Sequence, residues 1–248
     1  MELEKLIAKG RFNEVYKSGD LVVKVFNADY LKADVFTEAS IIATVEPLGL
    51  NIPAVKEVTN IDGKWAISME RVEGKTLSQL MDEEPNNVEK YVEMMVDIQV
   101  DMFSKKCPKL RNLKEKLTTK INAASIDDGK KYELLSTMEN TPKHDKLCHG
   151  DFTPQNIIID ASGKAYIIDW NHATIGNASA DVARSFLWLS LYNAKIADMY
   201  VNKYCEKTNT AKSYVQKWLP VVAAARISNG IPEEKELLDR WVDIVENQ

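Results

Sequence analysis

Two aspartates and an asparagine stand nearest to chemistry in this sequence. In Leu147-Cys148-His149-Gly150-Asp151-Phe152-Thr153-Pro154-Gln155-Asn156, an aspartate precedes an asparagine by five residues, in a loop opened by His-Gly and held by Pro154. Asp169 follows eighteen residues after Asp151, at the end of an apolar run. Phosphoryl transfer from ATP asks for few protein groups: one that positions the attacking hydroxyl, and oxygen ligands for Mg²⁺ that neutralise phosphate charge. Carboxylate and amide oxygens suit a hard cation that keeps most of its waters. Asp151 as base, with Asn156 and Asp169 as metal ligands, supplies that set. Taken singly each is ordinary, because one Asp in a loop is usually a turn former or a cap. Asp160, at a hairpin corner, is read as that and no more.

The elements that must position these residues change character along the chain. Residues 15–16 and 21–26 are β-branched and aromatic runs flanking Lys17-Ser18-Gly19-Asp20, a tight hairpin signal. Segment 33–46 takes helical period, with Val35, Ala39, Ile42 and Val45 on one stripe. Residues 53–55 and 65–69 read as two more strands around an Asp62-Gly63 turn. After Glu73-Gly74-Lys75 the pattern is mainly helical: Val88, Tyr91, Met95, Ile98 and Met102 recur at that spacing, as do Leu110, Leu113, Leu117 and Ile121. Apolar runs at 157–159 and 166–168 form an embedded hairpin, and helices are expected over 181–205, 210–228 and 232–246.

The motif resembles that of the aminoglycoside phosphotransferase family, which includes choline and related small-molecule kinases: H-G-D-x-x-x-x-N, then I-D-W. Here the segments are HGDFTPQN and IIDW, and Ala180-Asp181-Val182-Ala183-Arg184 is similar to the family's D-L-A-R stretch. The resemblance implies an α+β, protein-kinase-like bilobal fold. Residues 1–72 are expected to form a β-rich nucleotide-binding lobe and connector, a five-stranded antiparallel sheet with one helix. Residues 73–248 are expected to form a mainly helical catalytic and substrate-binding lobe with the hairpin embedded in it.

It also implies ATP and Mg²⁺ as cofactors, and a role for Lys24 in Leu21-Val22-Val23-Lys24-Val25-Phe26 as the strand lysine that holds the phosphates. Glu38, fourteen residues on in the first helix, is its expected partner; Glu46, at the helix end, is the competitor. Adenine is expected at the connector Met69-Glu70-Arg71-Val72, between walls of Val22, Ile158 and Ile168, residues that plain core packing would equally explain. His149 is expected to pack behind the catalytic loop, and Asp181 to brace it. His144 and His172 receive no role. The phosphate-covering turn, Gly10-Arg11-Phe12-Asn13-Glu14, departs from G-x-G-x-x-G by having a single glycine, so fewer backbone amides can approach phosphate closely.

Composition sets the limits. The net charge of −5 argues against a nucleic-acid surface. Cys107, Cys148 and Cys205 are odd in number, far apart and without metal spacing, which points to a reducing, cytoplasmic setting. The start MELEKLIAKG carries charge inside its apolar run and does not read as a signal peptide, and no run is long enough for a membrane helix. The expected partner is a small molecule with a hydroxyl; monomer and homodimer are equally compatible.

The resemblance implies an acceptor site between the catalytic loop and the C-terminal helices, a region that supplies Trp170, Phe186, Trp188, Tyr192 and Trp241, with the acids Glu233, Glu234, Glu236, Asp239, Asp243 and Glu246. Those acids are read first as a charged helix start, and Leu237, Leu238, Trp241 and Ile244 as a core stripe. A catalytically silent scaffold has no need of the Lys24, Asp151, Asn156 and Asp169 set. The short stretch from Asp169 to Asp181 leaves no evident activation segment for a regulated protein kinase.

Overall fold

The computed structural model describes residues 2–243. Ile244 and Glu246, named above with the last helix, lie outside the described residues. In chain order the elements are β1 (Lys5–Lys9), β2 (Asn13–Ser18), β3 (Leu21–Phe26), α1 (Lys32–Val45), β4 (Val55–Ile61), β5 (Lys64–Glu70), β6 (Gly74–Thr76), α2 (Leu77–Glu83), α3 (Val88–Ser104), α4 (Leu113–Ala123) and α5 (Asp128–Glu139). Then come β7 (Lys146–Cys148), β8 (Ile157–Asp160), β9 (Ala165–Ile167), β10 (Thr174–Gly176), α6 (Ala178–Tyr192), α7 (Ala194–Thr208), α8 (Lys212–Gln216), α9 (Leu219–Ile227) and α10 (Lys235–Asp243). None of the described helices is long and apolar enough to cross a membrane.

The chain packs as two units. One runs through Gln79 and takes up Gln155–Asn171; the other holds Leu80–Pro154 and the residues from His172 on. The embedded hairpin β8–β9 therefore belongs to the first unit, across the division at residues 72 and 73 expected from sequence.

In the first unit, β1-β2-β3-β5-β4 form the expected five-stranded antiparallel sheet. Side chains of a strand alternate faces. Val23 and Val25 of β3 pack with Ala66 on one side. Phe26 packs with Ile67 of β5 and with Val35 and Ala39 of α1 on the other. Lys24, two residues from Phe26, faces the helix side, and Glu38 lies on the same stripe of α1 as Val35 and Ala39. A second sheet, β6-β8-β9, is held to residue 51: Ile167 N–H donates to the Asn51 carbonyl at 2.9 Å, and the Asn51 amide donates to the Ala165 carbonyl. Asp160 caps the hairpin turn, accepting from the backbone amides of Ser162 and Lys164.

The second unit is helical around a two-stranded β7–β10 pair. α3 buries Tyr91, Val92, Met95, Val96, Gln99, Met102 and Phe103. The expected helix 181–205 is two helices: Asn193 takes an extended conformation and its side chain caps α7 at Lys195 and Ile196. The expected 210–228 is also divided. Pro220 lacks an N–H and fits the first turn of a new helix, so α9 starts at Leu219. The segment 232–246 begins as a 3-10 turn over Pro232–Glu234, followed by α10. α4 starts at Leu113 because Asn112 caps it, accepting from the Lys114 amide at 2.8 Å, which leaves Leu110 outside the helix. α5 has no expected counterpart; it buries only Leu134 and Met138, too few to show a period.

Candidate active site

The first unit brings three of the expected residues together. Lys24 Nζ donates to Glu38 Oε1 at 2.7 Å and to Asp169 Oδ1 at 3.0 Å. Lys24 and Glu38 are buried, whereas the Asp169 side chain is 37% exposed. Burial opposes the ammonium's charge, but the carboxylates of Asp169 and Glu38 outweigh it and hold the Lys24 pKa above its ordinary value. Glu46, the competing partner, instead accepts the Val55 amide at 2.7 Å.

Asp169 is reached through a left-handed backbone, φ 63°, uncommon outside glycine but tolerated by Asp. The turn directly follows the β8–β9 ladder. There Ile168 N–H donates to the Asn156 carbonyl at 3.0 Å, so Asn156 and Asp169 leave the same end of one hairpin. An amide oxygen and a partly exposed carboxylate there fit a hard cation that keeps waters and phosphate oxygens as its other ligands. Val22, Met69, Val72, Ile158 and Ile168 are all half-buried apolar groups of this unit, while their neighbours Val23, Ile67, Ile157 and Ile167 are fully buried. Glu70 turns its carboxylate to Lys56 at 2.6 Å. Its amide and that of Arg71 are taken by the Ala54 and Asp20 carbonyls, so among the connector amides Val72 lies beyond these bonds. In the single-glycine turn, Gly10 N–H donates to the Asn13 carbonyl, Phe12 is exposed and the Arg11 guanidinium lies 5.1 Å from its ring.

Asp151 belongs to the second unit, where α6 shapes its loop. Asp181, one turn into α6, is buried and accepts the Gly150 amide at 2.7 Å, the His149 amide at 3.3 Å and the Gln99 side-chain amide at 3.1 Å. These bonds tie the loop to the helix. Arg184, three residues on and on the same face of the helix, donates Nε to the Gly150 carbonyl at 2.7 Å and an Nη to Asp151 Oδ1 at 3.1 Å. Sequence pattern alone assigns Arg184 no role; its spacing from Asp181 is the available signal. His149 is fully buried, its Nδ1 accepts the Asp151 amide at 3.2 Å and its ring packs edge-on to Phe152. That is a positioning arrangement. His172 is held far below its ordinary pKa, first by burial and then by Lys116 and Arg184.

Gly150 has φ +79°, and a Cβ there would lie 2.5 Å from the His172 carbonyl oxygen. Gly150→Ala is expected to lower stability by about 1–3 kcal/mol, through left-handed strain and the clash together. A urea midpoint within experimental error of the parent would contradict this.

The acids near the C-terminus mostly pair locally: Glu234 with Arg226 at 2.6 Å, Asp239 with Lys235 at 2.5 Å, and Glu236 with Arg240. Of the aromatic residues, Trp188 stacks on Tyr192 and Phe186 meets Trp241 edge-on. Trp170 is buried in the first unit and donates Nε1 to the Ile167 carbonyl.

Solved structures with this fold include a thermostable mutant of aminoglycoside phosphotransferase APH(4)-Ia in its apo form. It matches at a TM-score of 0.70 and 14% identity, over 96% of this chain and 91% of that one. Choline kinase LicA from Streptococcus pneumoniae matches at a TM-score of 0.61 and 16% identity, over 95% of this chain and 86% of that one. In sequence, hygromycin-B 4-O-kinase of Escherichia coli is 34% identical over 56 residues, which span 23% of this chain and 16% of that kinase. The profile of the phosphotransferase enzyme family matches residues 4–215, and the chain belongs to that family.

Proposed function

We propose that this protein transfers the γ-phosphoryl group of ATP to a hydroxyl of a small molecule. The observation that carries the reading is the buried Lys24–Glu38 pair with Asp169 as the lysine's second partner. A buried ion pair is a poor source of net stability, because desolvation offsets its attraction. An ammonium fixed this way between two carboxylates, one of them partly exposed, is suited to receiving phosphate oxygens. Lys24 would hold the phosphates, and Glu38 would keep the lysine extended. Val22, Met69, Val72, Ile158 and Ile168 would enclose the purine, with the Val72 amide reading its edge. Asn156 and Asp169 would hold Mg²⁺, which supplies neutralisation of phosphate charge when bound. Asp151 would orient the acceptor hydroxyl and accept its proton, with Arg184 and Gly150 fixing where its carboxylate lies.

The relatives' acceptors, hygromycin B and choline, support a small alcohol over a protein. The test is ADP release and phosphate transfer, followed with Mg·ATP and a panel of amino sugars, choline, ethanolamine, nucleosides, amino alcohols and small hydroxy acids. Acceptor-dependent ADP release with one member supports the reading. ATP binding without transfer across the panel would instead favour a nucleotide-binding scaffold.

A further inference from the structure

A cavity of about 50 Å³ lies within the second unit, between α4, α6 and α9, with Gly150 and His172 on its wall. A single water needs roughly 10–15 Å³ of such space, so the cavity suits one small polar group rather than a whole sugar ring. Three cationic side chains line it: Lys116, Lys120 and Arg184. Lys116 Nζ donates to the His172 carbonyl at 2.7 Å, and Lys120 Nζ to the Asn229 side-chain carbonyl at 2.9 Å. Both partners are neutral. Among the described residues neither lysine forms an ion pair, although each ammonium carries three donors.

Among the described residues the only acid on the wall is Asp181, whose carboxylate already serves Gly150, His149 and Gln99. Arg226, whose charge also reaches Lys120, is matched by Glu234. Burial, followed by repulsion from Arg184, Lys120 and Arg111, pushes the Lys116 pKa down to about 7; burial also lowers that of Lys120. Arg184 has Asp151 as its acid, but gathering two ammonium groups without an acid partner beside it in a partly closed space is unfavourable for the folded chain, and an anion reverses that cost. A role limited to tying α4 to the His172 loop needs one donor, not three cations around a cavity.

We infer that this cavity binds a carboxylate or phosphate group carried by the acceptor, so that the acceptor is an anionic alcohol rather than a polyamine. Calling the bound molecule the acceptor rests on the function proposed above. Arg184 links the two places, since the same guanidinium lines the cavity and contacts Asp151 Oδ1 at 3.1 Å. Gly150, the residue before Asp151, stands on the same wall.

The experiment is calorimetric titration of the whole protein with inorganic phosphate, glycerate and glyceramide, the neutral amide of the same hydroxy acid. It is repeated on Lys116→Gln and Lys120→Gln, with urea midpoints confirming that both variants are folded. Phosphate and glycerate are expected to bind, glyceramide not, and each substitution should weaken anion binding by about tenfold or more, the range of one lost charge-assisted contact. Absence of anion binding at tens of millimolar overturns the inference. So does equal binding of glyceramide, or anion binding unchanged in both variants. The two readings fail separately. Anion binding with no phosphate transfer to any alcohol sinks the proposed function alone, whereas transfer to choline or amino sugars with no anion binding sinks the anion site alone.

Discussion

Asp151→Asn is expected to lower acceptor-dependent turnover by roughly 10²–10⁴-fold, the usual contribution of a positioned general base. Asparagine keeps the size of the side chain and one carbonyl oxygen for Arg184, but it cannot take a proton from an alcohol. Binding of Mg·ATP should change little, because Asp151 is not among the groups assigned to the nucleotide. Stability changes along with turnover. Arg184 is half-buried, and among the described residues Asp151 is the acid it pairs with. Removing that charge therefore destabilises as well as disarms, by about 1–3 kcal/mol, since the pair is partly solvated and asparagine keeps an acceptor for the guanidinium. Turnover is accordingly compared at temperatures where the urea titration shows both proteins folded. A fall of less than tenfold in folded enzyme would remove Asp151 from the role of base and leave it as the partner of Arg184.

What is visible in the sequence and what is hidden follow from different physics. The Lys24–Glu38 pairing is legible through the family resemblance, and the structure realises it by period: a strand puts Lys24 on the face of Phe26, and a helix puts Glu38 on the stripe of Val35 and Ala39. Asp169 is legible as the end of a hairpin arm, though its left-handed backbone is not, because a turn's dihedral leaves little trace in a single Asp. Helix breaks at Asn193 and before Pro220 carry signals in the residues themselves, a capping side chain and a missing N–H. β6 has three residues and exists by pairing with β8, so it has no period to read.

Lys116 and Lys120 have no role in the sequence reading. In α4 they stand three residues after Leu113 and Leu117, on the flank of the stripe of Leu113, Leu117 and Ile121, in a run with Lys114, Glu115 and two threonines that reads as polar. Only α6 and α9, from much later in the chain, turn that flank inward. The spacing from Leu113 and Leu117 shows which way the two lysines lean, but the cavity they line is a tertiary property that local pattern cannot supply.

Asp181→Ala is expected to destabilise the protein by about 3–5 kcal/mol, the cost of breaking a buried polar network at its charged member. The carboxylate gathers three donors, the amides of Gly150 and His149 and the side chain of Gln99. Truncation takes that acceptor from all three, and an unmade buried hydrogen bond costs about 1–3 kcal/mol each, a loss that water in the neighbouring cavity offsets in part at Gly150. Gln99 does not lose everything, since Tyr200 still donates to its carbonyl oxygen. Burial raises the Asp181 pKa, while His149 and the Gly150 amide oppose that shift, so its charge is itself held at a cost. For that reason Asp181→Asn is the informative partner. It restores an acceptor for Gly150 but turns an amide donor toward His149 or Gln99, and it should recover only part of the loss. Urea midpoints at constant m-value measure both variants. Turnover separates bracing from chemistry: a bracing residue loses activity in proportion to its loss of loop order, and Asp181→Asn should regain both together. If Asp181→Ala were as stable as the parent yet inactive, the residue would instead act on the substrate, and the account of α6 as the loop's support would be wrong.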